Sequence, residues 1–85
     1  MKPEKVRSAA AELAAALGGA ANVVAVEHCV TRLRLQLAER GAVDEPVLRA
    51  HPAVLGLRED DSFQVIVGPA AAEPLAAALR ETVGG

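Results

Sequence analysis

The chain has almost nothing aromatic: tryptophan and tyrosine are absent, and Phe63 is the one ring available for stacking. Positive charge is not in surplus either, because 9 Lys and Arg stand against 11 Asp and Glu, for a formal net charge of -2. Proteins that hold nucleic acid backbones usually carry a basic stripe, often with aromatics interleaved. Both features are missing, so no nucleic acid is expected among the partners. No apolar run approaches the roughly 18 residues needed to span a bilayer, and the N-terminus lacks the charged-then-apolar pattern of a secretion signal. A cytoplasmic protein is expected. Cys29 is the single cysteine, which rules out an internal disulfide and a zinc site built on cysteines. Its thiol is therefore either inert packing or a reactive group, and that choice decides the function.

What is present is the makeup of a folded protein, with 52% hydrophobic and 24% charged residues. A chain of 85 residues has room for one modest core, so residues 1–85 read as a single domain. From Pro3 to Leu17, Val6, Ala10, Leu13 and Leu17 recur at helical steps, with Pro3 tolerated in the first turn and Gly18-Gly19 as the stop. Asn22 then opens a β-branched segment, Val23 to Val26, that ends between Glu27 and Val30. A second strand, Thr31 to Ala38, alternates cleanly: Leu33, Leu35 and Leu37 on one face, Arg32, Arg34 and Gln36 on the other. The leucines go inward. Same-face residues lie roughly 6.5 to 7 Å apart along a strand, so the two guanidinium groups project in parallel and can converge on one small anion.

Glu39-Arg40-Gly41 reads as a turn, with Asp44 as the N-cap of a short helix that carries Pro46 in its first turn and ends at Ala50 before His51-Pro52. Val54 to Leu57 and Phe63 to Val67 form a predicted hairpin joined by the polar Arg58 to Ser62, with Phe63, Val65 and Val67 on one face. A last helix starts near Ala72, holds Pro74 in its first turn and lines up Leu75, Leu79 and Val83. The order α-β-β-α-β-β-α predicts an α+β fold: a four-stranded antiparallel sheet with three helices on one face. The other face stays open as a surface for docking another protein.

The chemistry gathers at Glu27 to Leu35. There a nucleophile, Cys29, sits beside a hydroxyl, Thr31, and two cations, Arg32 and Arg34. A thiol must ionise before it attacks phosphorus, and a nearby guanidinium or inward-pointing backbone N–H groups favour the thiolate. Arginine offers planar paired donors that match phosphate oxygens. A turn of consecutive amides around Cys29 to Thr31 would act as an anion nest, and Arg40 is a further candidate for a local basic patch. Fixed cations beside the path of a phosphoryl group stabilise its charge, so no metal or cofactor is expected in this domain.

Each residue also has a plainer reading. Cys29 alone reads equally well as buried packing, Arg32 and Arg34 as a solvated strand face, Thr31 as a β-branched strand residue, and Asn22 as a turn residue. His28 beside Cys29 suggests a Cys–His pair, but neighbours on a strand point to opposite faces, which makes His28 a bystander. His51 is expected at the surface, and Glu59-Asp60-Asp61 in a solvated loop.

Asn22-Val23, five residues, Cys29, one residue, Thr31-Arg32-Leu33-Arg34-Leu35 resembles the phosphorylation-site signature of the IIB domain of the bacterial sugar phosphotransferase system, glucose and sucrose type. The region around Gly56, the segment Phe63 to Pro69 and the order of elements resemble that domain too, so the likeness spans nearly the whole chain. The resemblance implies a phosphocarrier in which Cys29 takes a phosphoryl group from a phosphohistidine on a IIA protein and passes it to a sugar held by the membrane-embedded IIC transporter. It implies that Thr31 and the local backbone, Val30 included, hold the phosphate, that Arg32 and Arg34 act in delivery to the sugar, and that Asn22 has a supporting part. It also places the protein at the inner face of the membrane, through docking on IIC. One departure is the segment Ala38-Glu39-Arg40, where related domains often carry an Asp. Two other classes keep the same residues in play: a non-catalytic IIB-like regulatory module, and a redox-sensing thiol protein that would not need Arg34. The sugar is not written in this chain; glucose and N-acetylglucosamine systems are what the resemblance suggests.

Overall fold

A computed structural model describes residues 2–84. Its helices are α1 (Pro3–Ala16), α2 (Glu45–Ala50) and α3 (Ala72–Gly84), and its strands are β1 (Val23–His28), β2 (Arg32–Leu37), β3 (Gly56–Glu59) and β4 (Phe63–Ile66). The strands form one antiparallel sheet in the order β1-β2-β4-β3. The α+β architecture and the order of elements are those the sequence predicts. Helix α3 lies against β1 and β2, while α1 packs along α3 and also meets α2, so the helices share one side of the sheet.

The local reasons are visible. Pro3 opens α1, where a missing N–H costs nothing. The Asp44 carboxylate caps α2 by accepting the Val47 N–H at 3.3 Å. Gly18 ends the turn after α1 with φ +101°, and a Cβ there would lie 2.7 Å from Asn22 Nδ2 and 2.9 Å from the Ala42 side chain. Only glycine fits both the backbone and the space. The core is aliphatic: Leu13 and Leu17, Leu33 and Leu35 on β2, Leu48, Val65, and Leu75 and Leu79 on α3 are all buried. Arg80 on α3 donates from Nε to the Val26 carbonyl at 3.0 Å, which fastens that helix to the edge strand.

Three expectations are corrected. The second hairpin is displaced: β3 begins at Gly56, not Val54, and includes Arg58 and Glu59, because Gly56 and Leu57 pair with Ile66 and Val65 and the ladder continues from there. The loop shrinks to Asp60–Ser62, closed by the Asp60 carboxylate, whose Oδ1 accepts the N–H groups of Asp61 at 2.6 Å and Ser62 at 3.4 Å. Phe63 is buried with Val65 and Val67, as their shared face implies, and the Arg40 guanidinium lies 4.7 Å from its ring centroid. Arg40 itself is committed elsewhere, hydrogen-bonded at 3.0 Å to both Glu45 and Glu59, which hold its guanidinium above the ordinary range. It does not join Arg32 and Arg34. Finally, His51 is half-buried: its Nδ1 accepts the Ala53 N–H at 3.0 Å and its Nε2 reaches Glu12 Oε1 at 2.7 Å, tying the end of α2 to α1.

Asn22 turns out to be the pin of the lower end of the sheet. Its Nδ2 donates to the Leu17 carbonyl at 2.7 Å and the Glu39 carbonyl at 2.9 Å, and its Oδ1 accepts the Glu39 N–H at 2.7 Å. Its own carbonyl accepts the Ala38 N–H at 2.9 Å. One buried amide thus joins the end of α1, the start of β1 and the end of β2. The whole length of β1, about 20 Å at the strand rise, separates it from Cys29. The partners Leu17, Ala38 and Glu39 all lie outside the Cys29 loop. We predict that Asn22→Ala costs about 2 to 3 kcal/mol in urea unfolding, since it strands buried polar groups of Leu17 and Glu39. A loss well under 1 kcal/mol would mean that water replaces those bonds.

Candidate functional site at the β1–β2 loop

Strand β1 ends at His28, which pairs with Leu33, and the chain reverses through Cys29, Val30 and Thr31. The Cys29 N–H donates to the Arg32 carbonyl at 2.9 Å, which closes the loop at its base. The Thr31 carbonyl accepts two N–H groups, from Val67 at 3.0 Å and Gly68 at 2.9 Å, and so ties the loop to the exit of β4. Gly68 can turn there because its φ is +88°. Among the described residues, the N–H groups of Val30 and Thr31 donate to no carbonyl or side chain. None of the loop residues has a positive φ, so the loop is a simple turn of free amides rather than an alternating right- and left-handed nest.

Cys29 is exposed and free. Alternation along β1 and its pairing with β2 decide which arginine meets it. Arg34 lies opposite Glu27, two residues before Cys29 and on the same outward face, and its Nη1 reaches the Cys29 Sγ at 3.9 Å. That sets a guanidinium beside an accessible sulfur. Arg32, one step nearer the loop, instead donates from Nη1 to Gln64 Oε1 at 2.7 Å. Gln64 is almost fully buried and passes the connection on, donating from Nε2 to Asp60 Oδ1 at 2.9 Å and to Ser62 Oγ at 3.3 Å. His28 points its Nδ1 at the carbonyl of Cys29, 3.2 Å away, and so meets that oxygen and not the thiol.

Glu27, Arg34, Gln64 and Arg58 stand in one cross-strand row, with neighbours about 4.8 Å apart. A shallow depression on this open face is lined by Cys29, Val30, Thr31, Arg32, Arg34, Arg58, Asp60 and Gln64. The site residues predicted from sequence, Asn22 excepted, therefore come together. Gln64, Arg58 and Asp60 join them unannounced. The alternation of Phe63, Val65 and Val67 already placed Gln64 on the outward face, so that signal was available. Arg58 was hidden because its segment read as a loop. Asp60, expected to be merely solvated, has its carboxyl held below the ordinary carboxylate range, first by the Ser62 and Asp61 N–H groups and further by the charges of Arg58 and Arg34.

Three guanidinium groups against one carboxylate, two free amides and an accessible thiol make a small anion site with a nucleophile at its edge. The family model for "phosphotransferase system, EIIB" matches residues 11–44, which include Cys29, Arg32 and Arg34. The chain is similar to the N-acetylmuramic acid-specific EIIBC component of Vibrio vulnificus, with 41% identity over 73 residues that cover 85% of this chain and 15% of that protein. It is also similar to the arbutin-, cellobiose- and salicin-specific EIIBC component of Escherichia coli, with 49% identity over 55 residues, 64% of this chain and 11% of that protein. The chain thus spans only about a seventh or less of the length of these relatives. A domain of a phosphotransferase-system IIabc component from Clostridium difficile has the same fold, with a TM-score of 0.85 over 95% of this chain and 85% of that one at 23% identity. The chain belongs to the EIIB domain family of the phosphotransferase system, of the glucose and sucrose type.

Proposed function

We propose that this domain is a phosphoryl carrier of a sugar uptake system and that Cys29 is the residue modified. The observation that carries the reading is the 3.9 Å approach of Arg34 Nη1 to the exposed Cys29 Sγ, beside two free loop amides. In the first step the Cys29 thiolate, its proton given up to solvent, attacks phosphorus on a phosphohistidine of a IIA protein. The S–P bond forms, the N–P bond breaks, and the histidine leaves with its electron pair. In the second step a sugar hydroxyl attacks the same phosphorus, the O–P bond forms, and the thiolate departs. The hydroxyl proton goes to a base outside this chain.

Each residue has a physical part in this scheme. Arg34 offsets negative charge at the sulfur and on the phosphoryl oxygens as they pass through the transition state. Arg32, oriented through Gln64, presents a planar donor pair to those oxygens. The Val30 and Thr31 N–H groups, with the Thr31 hydroxyl, receive the phosphate as neutral donors. Sulfur suits a relay because a thiolate leaves readily.

The expected partners are a IIA phosphoprotein and a membrane IIC permease that holds the sugar, the latter supported by relatives in which B and C parts share one chain. Among the described residues, no helix is long and apolar enough to cross a membrane. A place at the inner face of the membrane would then come through IIC. Val30 and Leu55, 77% and 71% exposed, offer apolar surface for docking close to the loop.

Incubation with a cognate phosphorylated IIA protein should label the wild type and leave Cys29→Ser unlabelled. An unlabelled wild type would sink the carrier reading, and reversible oxidation of Cys29 without labelling would favour a redox thiol. We further expect Arg34→Lys and Arg32→Lys to accept phosphoryl yet slow its delivery to sugar by about 100-fold, since lysine cannot reproduce the planar donor pair. Full labelling with no delivery even in the wild type would instead indicate a regulatory module.

A further inference from the structure

We propose that Arg58 is a reserve phosphate-binding cation, kept beside Asp60 while Cys29 is a thiol and drawn to the phosphoryl group once Cys29 carries it. The inference rests on the reading of Cys29 as the phosphoryl carrier and assigns a regulation to that same site. The Arg58 and Asp60 side chains face one depression with Cys29, Arg32 and Arg34. Their mutual contact is loose: Arg58 Nε lies 3.9 Å from Asp60 Oδ2, and the two side chains are 64% and 51% exposed. Such a pair in water is weakly held. Asp60 is the fixed member, because its Oδ1 accepts three donors, the N–H groups of Asp61 and Ser62 and the amide of Gln64. Arg58 is the movable one, a long side chain whose guanidinium makes no hydrogen bond among the described residues beyond this loose ion pair.

A phosphoryl group changes the balance. It brings more negative charge than a carboxylate and three oxygens that suit a guanidinium fork. Arg34 holds one side of the depression, and Arg58 stands across Gln64 from it in the same cross-strand row, so a phosphoryl group between them meets cations from both β2 and β3. Asp60 then works in the opposite sense. Its ionised carboxylate, close enough for the charges of Arg58 and Arg34 to act on it, repels the phosphoryl group and limits how tightly the site retains it. A carrier must release its cargo, and the Arg58–Asp60 pair sets that retention.

The charged and titratable groups around the phosphoryl position are Arg32 and Arg34 from β2, Arg58 from β3 and Asp60 from the turn, with Glu27 and His28 of β1 and Asp61 of the turn on the adjoining surface. The test is a pH titration of the ³¹P resonance of phosphorylated Cys29, whose second protonation reports the local field. Losing a cation disfavours the dianion, so Arg58→Gln should raise the midpoint on the order of half a unit, while Asp60→Asn should lower it and Arg58→Lys should stay near the wild type. Opposite shifts in these two variants are not what a merely structural role would give. Identical titrations of wild type and Arg58→Gln overturn the proposal. A second arm needs no donor protein: inorganic phosphate added to the thiol form should move the Arg58 side-chain resonance, and Arg58→Gln should bind phosphate several-fold more weakly than the wild type. Equal affinities there also overturn it. Failure of the wild type to accept phosphoryl condemns the reading of Cys29, while the phosphate arm still decides Arg58.

Discussion

The two-residue period of β2 is the constraint on which the rest depends. Leu33 and Leu35 are locked in the core, so Arg32 and Arg34 have no choice but to face outward. A slip of one residue would bury two guanidinium groups and expose two leucines, which burial makes prohibitive. The register with β1 then does the rest, setting Arg34 opposite Glu27 and within reach of Cys29 just beyond it. The site is positioned by hydrophobic burial on the far side of the sheet. Charge does not have to assemble it.

That arrangement lets the site be exposed and yet ordered. The loop is short, closed at its base by the Cys29 to Arg32 bond and tied to the end of β4 through the Thr31 carbonyl. Asn22 holds the opposite end of β1 and β2 together, so the two strands cannot shear and carry Arg34 away from the sulfur. Gln64 fixes Arg32 from a third strand. The backbone beneath the open face is thereby tied at both ends of β1 and β2 and across to β4.

Much of this was legible in the sequence, and for identifiable reasons. The alternation of Leu33, Leu35 and Leu37 with Arg32, Arg34 and Gln36 is a period-2 signal that tertiary structure had no cause to override. The spacing of Cys29, Thr31, Arg32 and Arg34 placed the Cys29 loop at a strand end, where it is found. The second hairpin was harder. Arg58 and Glu59 are strongly polar, and nothing local says that Leu57 pairs with Val65 and draws them into β3. Misplacing that strand by two residues concealed Arg58. Asn22 and His51 were illegible in another way: each has a partner far along the chain, Glu39 at 17 residues and Glu12 at 39, and a single sequence carries no trace of such contacts. Arg40 was misjudged for the same reason, since Glu59 meets it only once the sheet has formed.

The central claim is that one phosphoryl group sits on Cys29, held by Arg34 and the loop amides. A crystal structure of the phosphorylated protein tests it most directly. The account predicts phosphorus bonded to Cys29 Sγ, with phosphoryl oxygens within hydrogen-bond distance of the Arg34 guanidinium and of the Val30 and Thr31 N–H groups. A phosphoryl group on His28 or His51, or one on Cys29 that points to solvent with Arg34 turned away, would contradict it.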